Sequence, residues 1–182
     1  MLRHLPNAIC VLRIALTWPT IEAIDRGDYG LALLLFAIAA VSDGIDGYLA
    51  KRFNWVSELG RVLDPLADKI LLVAVFLTLT WQGLVPVWLA TAAIARDVLI
   101  SGGAIIYRLW FGDINGRPTV ISKINTALQI AVLVVVLLVA AGVPAGNATV
   151  LILAVITFVT TVASGVDYLA RFARQAWHLP AR

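Results

Sequence analysis

The chain has 182 residues, of which 61% are hydrophobic and 14% charged, with a formal net charge of +3. A soluble domain is about 45–50% apolar and about 25% charged, so this composition excludes an ordinary soluble globule and a disordered chain. The single cysteine, Cys10, excludes a disulfide scaffold. A membrane-spanning helix takes about 20 mostly apolar residues, so the apolar content is sufficient for five or six spans. It leaves no room for a separate soluble domain, and we expect one membrane domain over residues 1–182.

Six apolar stretches follow one another along the chain, each long enough for a transmembrane helix. None alternates polar and apolar residues as the strands of a membrane barrel do. The stretches are Asn7–Ile24, Gly30–Ala50, Val62–Trp81, Val87–Trp110, Ile121–Val143 and Thr149–Leu169. We therefore predict an all-α, polytopic integral membrane protein with six transmembrane helices. Arg13 interrupts the first stretch, so we expect a retained span rather than a cleaved signal peptide.

Lys and Arg are distributed unevenly between the breaks that separate these stretches. One set of breaks and both chain ends are basic, and their cations are Arg3, Lys51, Arg52, Arg61, Arg108, Arg117, Lys123, Arg171, Arg174 and Arg182. The opposite breaks hold only Arg26, which lies between Asp25 and Asp28. Cytoplasmic loops are enriched in Lys and Arg, so we expect both termini in the cytoplasm. The same pattern accounts for the net positive charge, and we expect no nucleic-acid partner.

Four aspartates lie inside the apolar stretches on either side of one connection. Asp43 and Asp46 come late in the second stretch, and Asp64 and Asp68 come early in the third. Asp43 lies eight residues before Lys51, and Asp68 lies eight residues after Gly60. Both separations are about 12 Å at helical rise, so antiparallel helices would bring both pairs to one depth. Spacings of three and four residues place each pair on one helix face.

Four ionised carboxylates at that depth would cost roughly 10 kcal/mol and would repel one another. Divalent cations offset both effects, and hard oxygen ligands suit Mg²⁺ or Mn²⁺. Two other interpretations remain open. Some of the aspartates could cap helices or pair with Lys51, Arg52, Arg61 and Lys69, or the cluster could belong to the ion pathway of a transporter. Neither helix capping nor pairing accounts for four carboxylates on two matched faces.

The segment from Asp43 to Asp68 resembles the signature of the CDP-alcohol phosphatidyltransferase family, D-x-x-D-G-x-x-A-R, eight residues, then G-x-x-x-D-x-x-x-D. Lys51 departs from the pattern, because the family usually has Arg there, although Arg52 follows. The resemblance implies a six-helix homodimer that binds CDP-diacylglycerol at the cytoplasmic side. An alcohol then attacks the phosphorus on the lipid side, and CMP leaves.

The resemblance also implies roles for individual residues. Asp43, Asp46, Asp64 and Asp68 would hold two divalent metal ions, Mg²⁺ or Mn²⁺, and Asp68 would also be the catalytic base. The residues that would contact the CDP-lipid are Asn7, Gly47, Ala50, Lys51, Arg52 and Gly60. Pro6, Asn7 and Arg13 resemble the P-N-x-x-x-x-x-R start of many family members. Helix capping is an equally good explanation for Asn7, which follows a proline at the start of the first span.

The acceptor alcohol is expected to be selected by the second half of the chain. The stretch from Arg117 to Gln129 is similar to the P-T-x-x-S-K-x-N-T-x-x-Q segment of the cardiolipin synthases within this family, which implies phosphatidylglycerol as the acceptor. Ala104 stands where phosphatidylglycerophosphate synthases often have Arg, which disfavours glycerol 3-phosphate, the alternative. The candidate acceptor-binding cations are Arg96, Arg117 and Lys123.

Purely structural roles are open for the same region, and other classes of function are open for the whole chain. Arg96 and Asp97 could neutralise each other within the bilayer, and Ser122, Asn125 and Thr126 could form interhelical hydrogen bonds or a helix cap. A transporter would more often show inverted repeats, and a non-catalytic CDP-lipid-binding protein would have no need of Asp68. We expect a bacterial inner membrane location, or else the mitochondrial inner membrane, with the site facing the cytoplasm or the matrix.

Overall fold

The structure, a computed structural model, describes the backbone of residues 5–53, 58–111, 119–144 and 147–177. Side chains are described for residues 11–42, 69–103, 119–144 and 148–171. Within these ranges the chain forms six helices and no strand, which confirms the all-α prediction. The helices are α1 (Leu5–Asp25), α2 (Tyr29–Phe53), α3 (Glu58–Trp81), α4 (Val87–Phe111), α5 (Val120–Ala140) and α6 (Asn147–Trp177).

The helices agree with the six apolar stretches but extend beyond several of them. α3 begins four residues before its stretch, and α6 continues to Trp177, past a predicted end at Leu169. The added residues include Glu, Arg and Gln, which favour helix once apolar packing has nucleated it. Among the described residues, two helical segments, Val120–Ala140 and Ala148–Arg171, are long and apolar enough to cross a membrane, which fits a membrane protein.

α1 and α3 each end in a hydrogen-bonded turn of the same type. At the end of α1, Gly27 N–H donates to the Ile24 carbonyl at 2.9 Å, and Asp28 N–H donates to the Ala23 carbonyl at 2.9 Å. At the end of α3, Gly83 takes the place of Gly27, and both glycines have φ near +75° (75° and 74°). This left-handed conformation is strained for other residues, so glycine ends both helices sharply and allows short connections.

The chain divides into two compact units. The first unit comprises Met1–Val85 and Leu133–Pro144, and in it α1 packs against both α2 and α3. Its described core is apolar and includes Ile24, Ala32, Phe36, Ala39, Leu71, Val75, Phe76 and Leu79, all of them buried. The α2 members of this core recur at intervals of three and four residues, so one face of α2 is committed to packing.

The second unit comprises Pro86–Val132 and Ala145–Arg182, and in it α4 packs against α6. Trp88 and Phe158 meet edge to face, with ring centroids 5.2 Å apart. Gly103 allows a second close approach, because a Cβ atom there would lie 3.0 Å from the Tyr168 hydroxyl oxygen. An aromatic ring from one helix therefore fits against a small residue or another ring of its partner.

Candidate functional site

Gln82 joins the ends of three helices in the first unit. Its Nε2 donates to the Ile24 carbonyl at the end of α1, over 2.7 Å. Its Oε1 accepts from the Tyr29 hydroxyl at the start of α2, over 2.9 Å. Gln82 itself directly follows the last residue of α3. Because both α2 and α3 pack on α1, the two bonds indicate that α2 and α3 run in opposite directions from this end, which we call the Gln82 clamp.

The Gln82 clamp relates the four aspartate positions to one another. Asp43 lies 14 residues after Tyr29, and Asp68 lies 14 residues before Gln82. Both positions are therefore about 21 Å along their helices from the clamp. Asp46 and Asp64 lie one turn further, at 17 and 18 residues from Tyr29 and Gln82. Straight helices would therefore carry both pairs at similar distances from the clamp, and the matched depth stays a prediction.

The side chains of these aspartates lie outside the described ones, as do those of all six residues predicted to bind the CDP-lipid. Asn7 lies on α1, Gly47, Ala50, Lys51 and Arg52 lie on α2, and Gly60 lies on α3. Among the described side chains, no group of three or more His, Cys, Asp or Glu could hold a metal ion. The metal site and the base therefore stay predictions.

Arg13 is a candidate site residue that the sequence analysis did not assign to the site. Its side chain is only 1% exposed, although it lies in the middle of an apolar helix. Arg13 is 11 residues before Ile24 and so about 16 Å from the Gln82 clamp. Side chains lean toward the N-terminus of their helix, so we expect the guanidinium to extend away from the clamp, toward the depth predicted for Asp43 and Asp68. The signal was available, because an ionisable residue inside a predicted membrane span indicates a functional site by default.

Arg96 is buried in the second unit and joins three helices. From α4, its Nη1 donates to the neighbouring Asp97 carboxylate at 2.6 Å. Its Nε and Nη2 donate to the Ser164 hydroxyl on α6, at 3.2 and 2.8 Å. Nη2 also donates to the Ser122 hydroxyl on α5. Arg96 and Asp97 are 7% and 8% exposed, so the neutralised pair considered above is present and shielded from solvent.

The first turn of α5 contains another acceptor-binding candidate, Lys123. Thr119 caps this turn, because its hydroxyl accepts from the Ser122 N–H at 3.1 Å. Lys123 is exposed. Its position on α5 lies on a different helix face from that shared by Ser122, Asn125 and Gln129. Arg117 lies outside the described residues. The structure therefore brings Arg96 to Ser122 and does not bring it to the side chain of Lys123.

A second polar contact joins α5 to α6 one turn deeper. The Asn125 Oδ1 accepts from the hydroxyls of Thr160 and Thr161, at 3.0 and 2.8 Å. Among the described side chains, the amide nitrogens of Asn125 and Gln129 are buried and make no hydrogen bond. Unpaired buried amides cost stability, so this stretch of α5 departs from the most stable solution, as functional regions do. The interhelical bonding considered for Asn125 is present.

Comparisons with known proteins agree with the motif. A model of the CDP-alcohol phosphatidyltransferase family matches residues 3–163. A protein from Homo sapiens named cardiolipin synthase (CMP-forming) is 34% identical over 144 residues, which cover 69% of this chain and 47% of the relative. A Streptomyces coelicolor protein of the same name is 36% identical over 102 residues, covering 53% of this chain and 47% of the relative.

A relative with a different name is similar at the same level. The Bacillus subtilis CDP-diacylglycerol–glycerol-3-phosphate 3-phosphatidyltransferase is 34% identical over 114 residues, covering 54% of this chain and 59% of the relative. The chain thus spans about half the length of the curated relatives it matches. The family match covers both units and includes the four aspartates, the Gln82 clamp and Arg96. The chain belongs to the CDP-alcohol phosphatidyltransferase family.

Proposed function

We propose that this protein transfers a phosphatidyl group from CDP-diacylglycerol to an alcohol and releases CMP. The observation that carries the proposal is the pair of Gln82 hydrogen bonds, which bring the start of α2 to the end of α3. Two straight helices that meet there would carry the two aspartate pairs at similar distances from that end, which supports a common site. The names of the relatives agree, since they describe CMP-forming and CDP-diacylglycerol-dependent enzymes.

The donor set fits a hard divalent cation. Asp43 and Asp46 are one turn apart on an unbroken helix, as are Asp64 and Asp68, so each pair projects from one face. Carboxylate oxygens are the ligands that Mg²⁺ and Mn²⁺ prefer, and two such ions would offset the charge of four acids. When bound, these ions would neutralise the pyrophosphate of the CDP-lipid and make its phosphorus more electrophilic.

The chain's own residues would then position the substrates and move one proton. The acceptor hydroxyl gives up its proton to the Asp68 carboxylate while its oxygen forms a bond to the lipid-side phosphorus. The bond from that phosphorus to the bridging oxygen breaks, and CMP leaves with the oxygen and the electron pair. Gly47, Ala50 and Gly60 carry little or no side chain, which would allow the nucleotide to approach both helices closely.

Arg13 extends this assignment. A buried guanidinium at the aspartate depth cannot be a metal ligand, because Arg has no acceptor atom and stays protonated. It suits a phosphate oxygen, to which it can donate two parallel hydrogen bonds. We assign Arg13 to the donor phosphates, opposite the face that the metal ions would hold.

Phosphatidylglycerol is the acceptor that the residues favour, and the product would then be cardiolipin. Phosphatidylglycerol carries a single phosphodiester charge, which one exposed cation such as Lys123 can match. Glycerol 3-phosphate carries nearly two charges and would require a denser cationic site. Ala104 provides no cation, and Arg96 is already hydrogen-bonded within the protein. The Bacillus subtilis relative keeps glycerol 3-phosphate as the second candidate.

The proposal includes a membrane arrangement. All six helices would span the bilayer as one domain, with both termini and the aspartates toward the cytoplasm. The support is the excess of Lys and Arg at those ends, together with the two strongly apolar helices. A bacterial inner membrane or a mitochondrial inner membrane would satisfy this arrangement, and a homodimer follows from the family resemblance.

The test uses purified protein in lipid nanodiscs with CDP-diacylglycerol, Mn²⁺ and one alcohol at a time. CMP release and the lipid product are followed together. We expect cardiolipin and CMP with phosphatidylglycerol, and no CMP when EDTA replaces the metal. If glycerol 3-phosphate gives product and phosphatidylglycerol gives none, the acceptor assignment is wrong. Full turnover in excess EDTA would overturn the metal site.

A further inference from the structure

The environment of Arg96 is unusual for a residue that binds a substrate. All three nitrogens of its guanidinium already donate to protein oxygens, in four hydrogen bonds to Asp97, Ser122 and Ser164. The side chain is also 7% exposed. An anionic headgroup would therefore compete with bonds that the protein has formed, and charged hydrogen bonds are costly to break in a buried place.

The bonds of Arg96 are directed at one particular segment. Ser122 lies in the first turn of α5, where Thr119 accepts from its N–H and the Lys123 N–H donates to the Thr119 carbonyl at 3.1 Å. Ser164 lies on α6, 42 residues further along the chain. One guanidinium thus ties the beginning of α5 to both α4 and α6, and the residue after Ser122 is the exposed Lys123.

We propose that Arg96 is a positioning residue that holds the first turn of α5 in place and acts on the acceptor only through that turn. The role of the acceptor in this inference rests on the proposed function. Arg suits the task and Lys does not, because a planar guanidinium can bond two hydroxyls and a carboxylate at once. Arg96 orders the segment, and Lys123 presents a charge to the acceptor.

The decisive kinetic variant leaves Arg96 in place and removes its hydroxyl partners. In the double variant Ser122→Ala with Ser164→Ala, we expect the KM for phosphatidylglycerol to rise about three- to tenfold, with the KM for CDP-diacylglycerol unchanged. Ser122→Thr keeps the hydroxyl and should retain the wild-type KM. If Arg96 binds the acceptor directly, freeing it would leave this KM unchanged or lower it, which would overturn the inference.

A measurement without substrates separates this inference from the proposed function. Amide hydrogen exchange over residues 119–126 is followed in nanodiscs for the double variant and for a matched control, Thr91→Ala, whose hydroxyl bonds only to its own helix. We expect exchange to accelerate about tenfold in the double variant alone. Unchanged exchange would overturn the positioning role even if cardiolipin is made. Faster exchange would support it even if the acceptor proves to be another alcohol.

Discussion

The interiors of the two units are stabilised by different kinds of interaction. Among the described residues, the first unit is packed mainly by apolar side chains, and its buried polar residues are Arg13, Thr17 and Thr20, all on α1. The second unit has few buried apolar side chains, and its buried polar residues are Arg96, Asp97, Asn125, Gln129, Thr157, Thr161 and Ser164. Apolar packing is non-directional, whereas hydrogen bonds demand particular partners at particular distances.

This difference suggests a division of labour. The first unit contains the family signature, and an apolar frame can hold the aspartate positions in register while tolerating changes of volume in its core. The second unit contains the acceptor-binding candidates on helices joined by directional bonds. A single hydroxyl gained or lost there would shift a helix, so acceptor choice is easier to alter than donor chemistry. The predictions below test this contrast, from the largest expected effect to the smallest.

Removal of one carboxylate from the signature should have the largest effect. Asp64→Asn should lower turnover by about 10³-fold, because a lost metal ligand removes several kcal/mol of charge stabilisation. The assay is CMP release at saturating CDP-diacylglycerol. Asp25→Asn, at the opposite end of the first unit, is the matched control and should retain activity. Equal losses in the two variants would contradict the site.

Replacement of the proposed base, Asp68, should lower turnover without weakening donor binding. Asp68→Asn keeps the shape of the side chain but cannot accept the acceptor proton, so we expect turnover to fall by about 10²-fold. Donor binding, measured with a fluorescent CDP-diacylglycerol analogue, should remain. If binding and turnover fall together, Asp68 acts chiefly as a metal ligand and the base must be sought elsewhere.

Replacement of Arg13 should weaken the binding of CDP-diacylglycerol and strengthen the binding of the metal ion. Arg13→Gln should raise the KM for CDP-diacylglycerol about tenfold, since a charged hydrogen bond to phosphate is lost. The same change removes a positive charge from the aspartate depth, so Mn²⁺ measured by electron paramagnetic resonance should bind more tightly. Thr17→Ala on the same helix is the control. Weaker or unchanged Mn²⁺ affinity in Arg13→Gln would show that Arg13 does not face the aspartates.

The Gln82 clamp should give the smallest effect. Gln82→Leu loses two hydrogen bonds about 21 Å from the aspartates, so we expect activity to fall only about two- to fivefold. Tyr29→Phe loses one of the two bonds and should fall between Gln82→Leu and the wild type in thermal stability. A variant at Gln82 with full activity and stability would mean that apolar packing alone sets the register.

The sequence predicted the first unit better than the second, and the reason is physical. The aspartates lie at short spacings on two consecutive helices, so helical geometry alone relates them. Arg96 finds Ser122 and Ser164 at separations of 26 and 68 residues, which no local pattern encodes. Arg96 was expected to bind the acceptor, with its pairing to Asp97 as the alternative; the pairing is present, and acceptor binding stays a prediction. Arg13 interrupted an apolar stretch and matched the start of the family pattern, but the sequence alone assigned it no role.

The product ratio in a competition assay tests the division of labour most directly. CDP-diacylglycerol is supplied with phosphatidylglycerol and glycerol 3-phosphate together, and cardiolipin and phosphatidylglycerophosphate are quantified. We expect cardiolipin to dominate in the wild type. Gln82→Leu, in the first unit, should lower both products and leave their ratio unchanged, whereas Lys123→Ala, in the second unit, should lower the share of cardiolipin. A ratio that shifts with Gln82→Leu and is unmoved by Lys123→Ala would contradict the account.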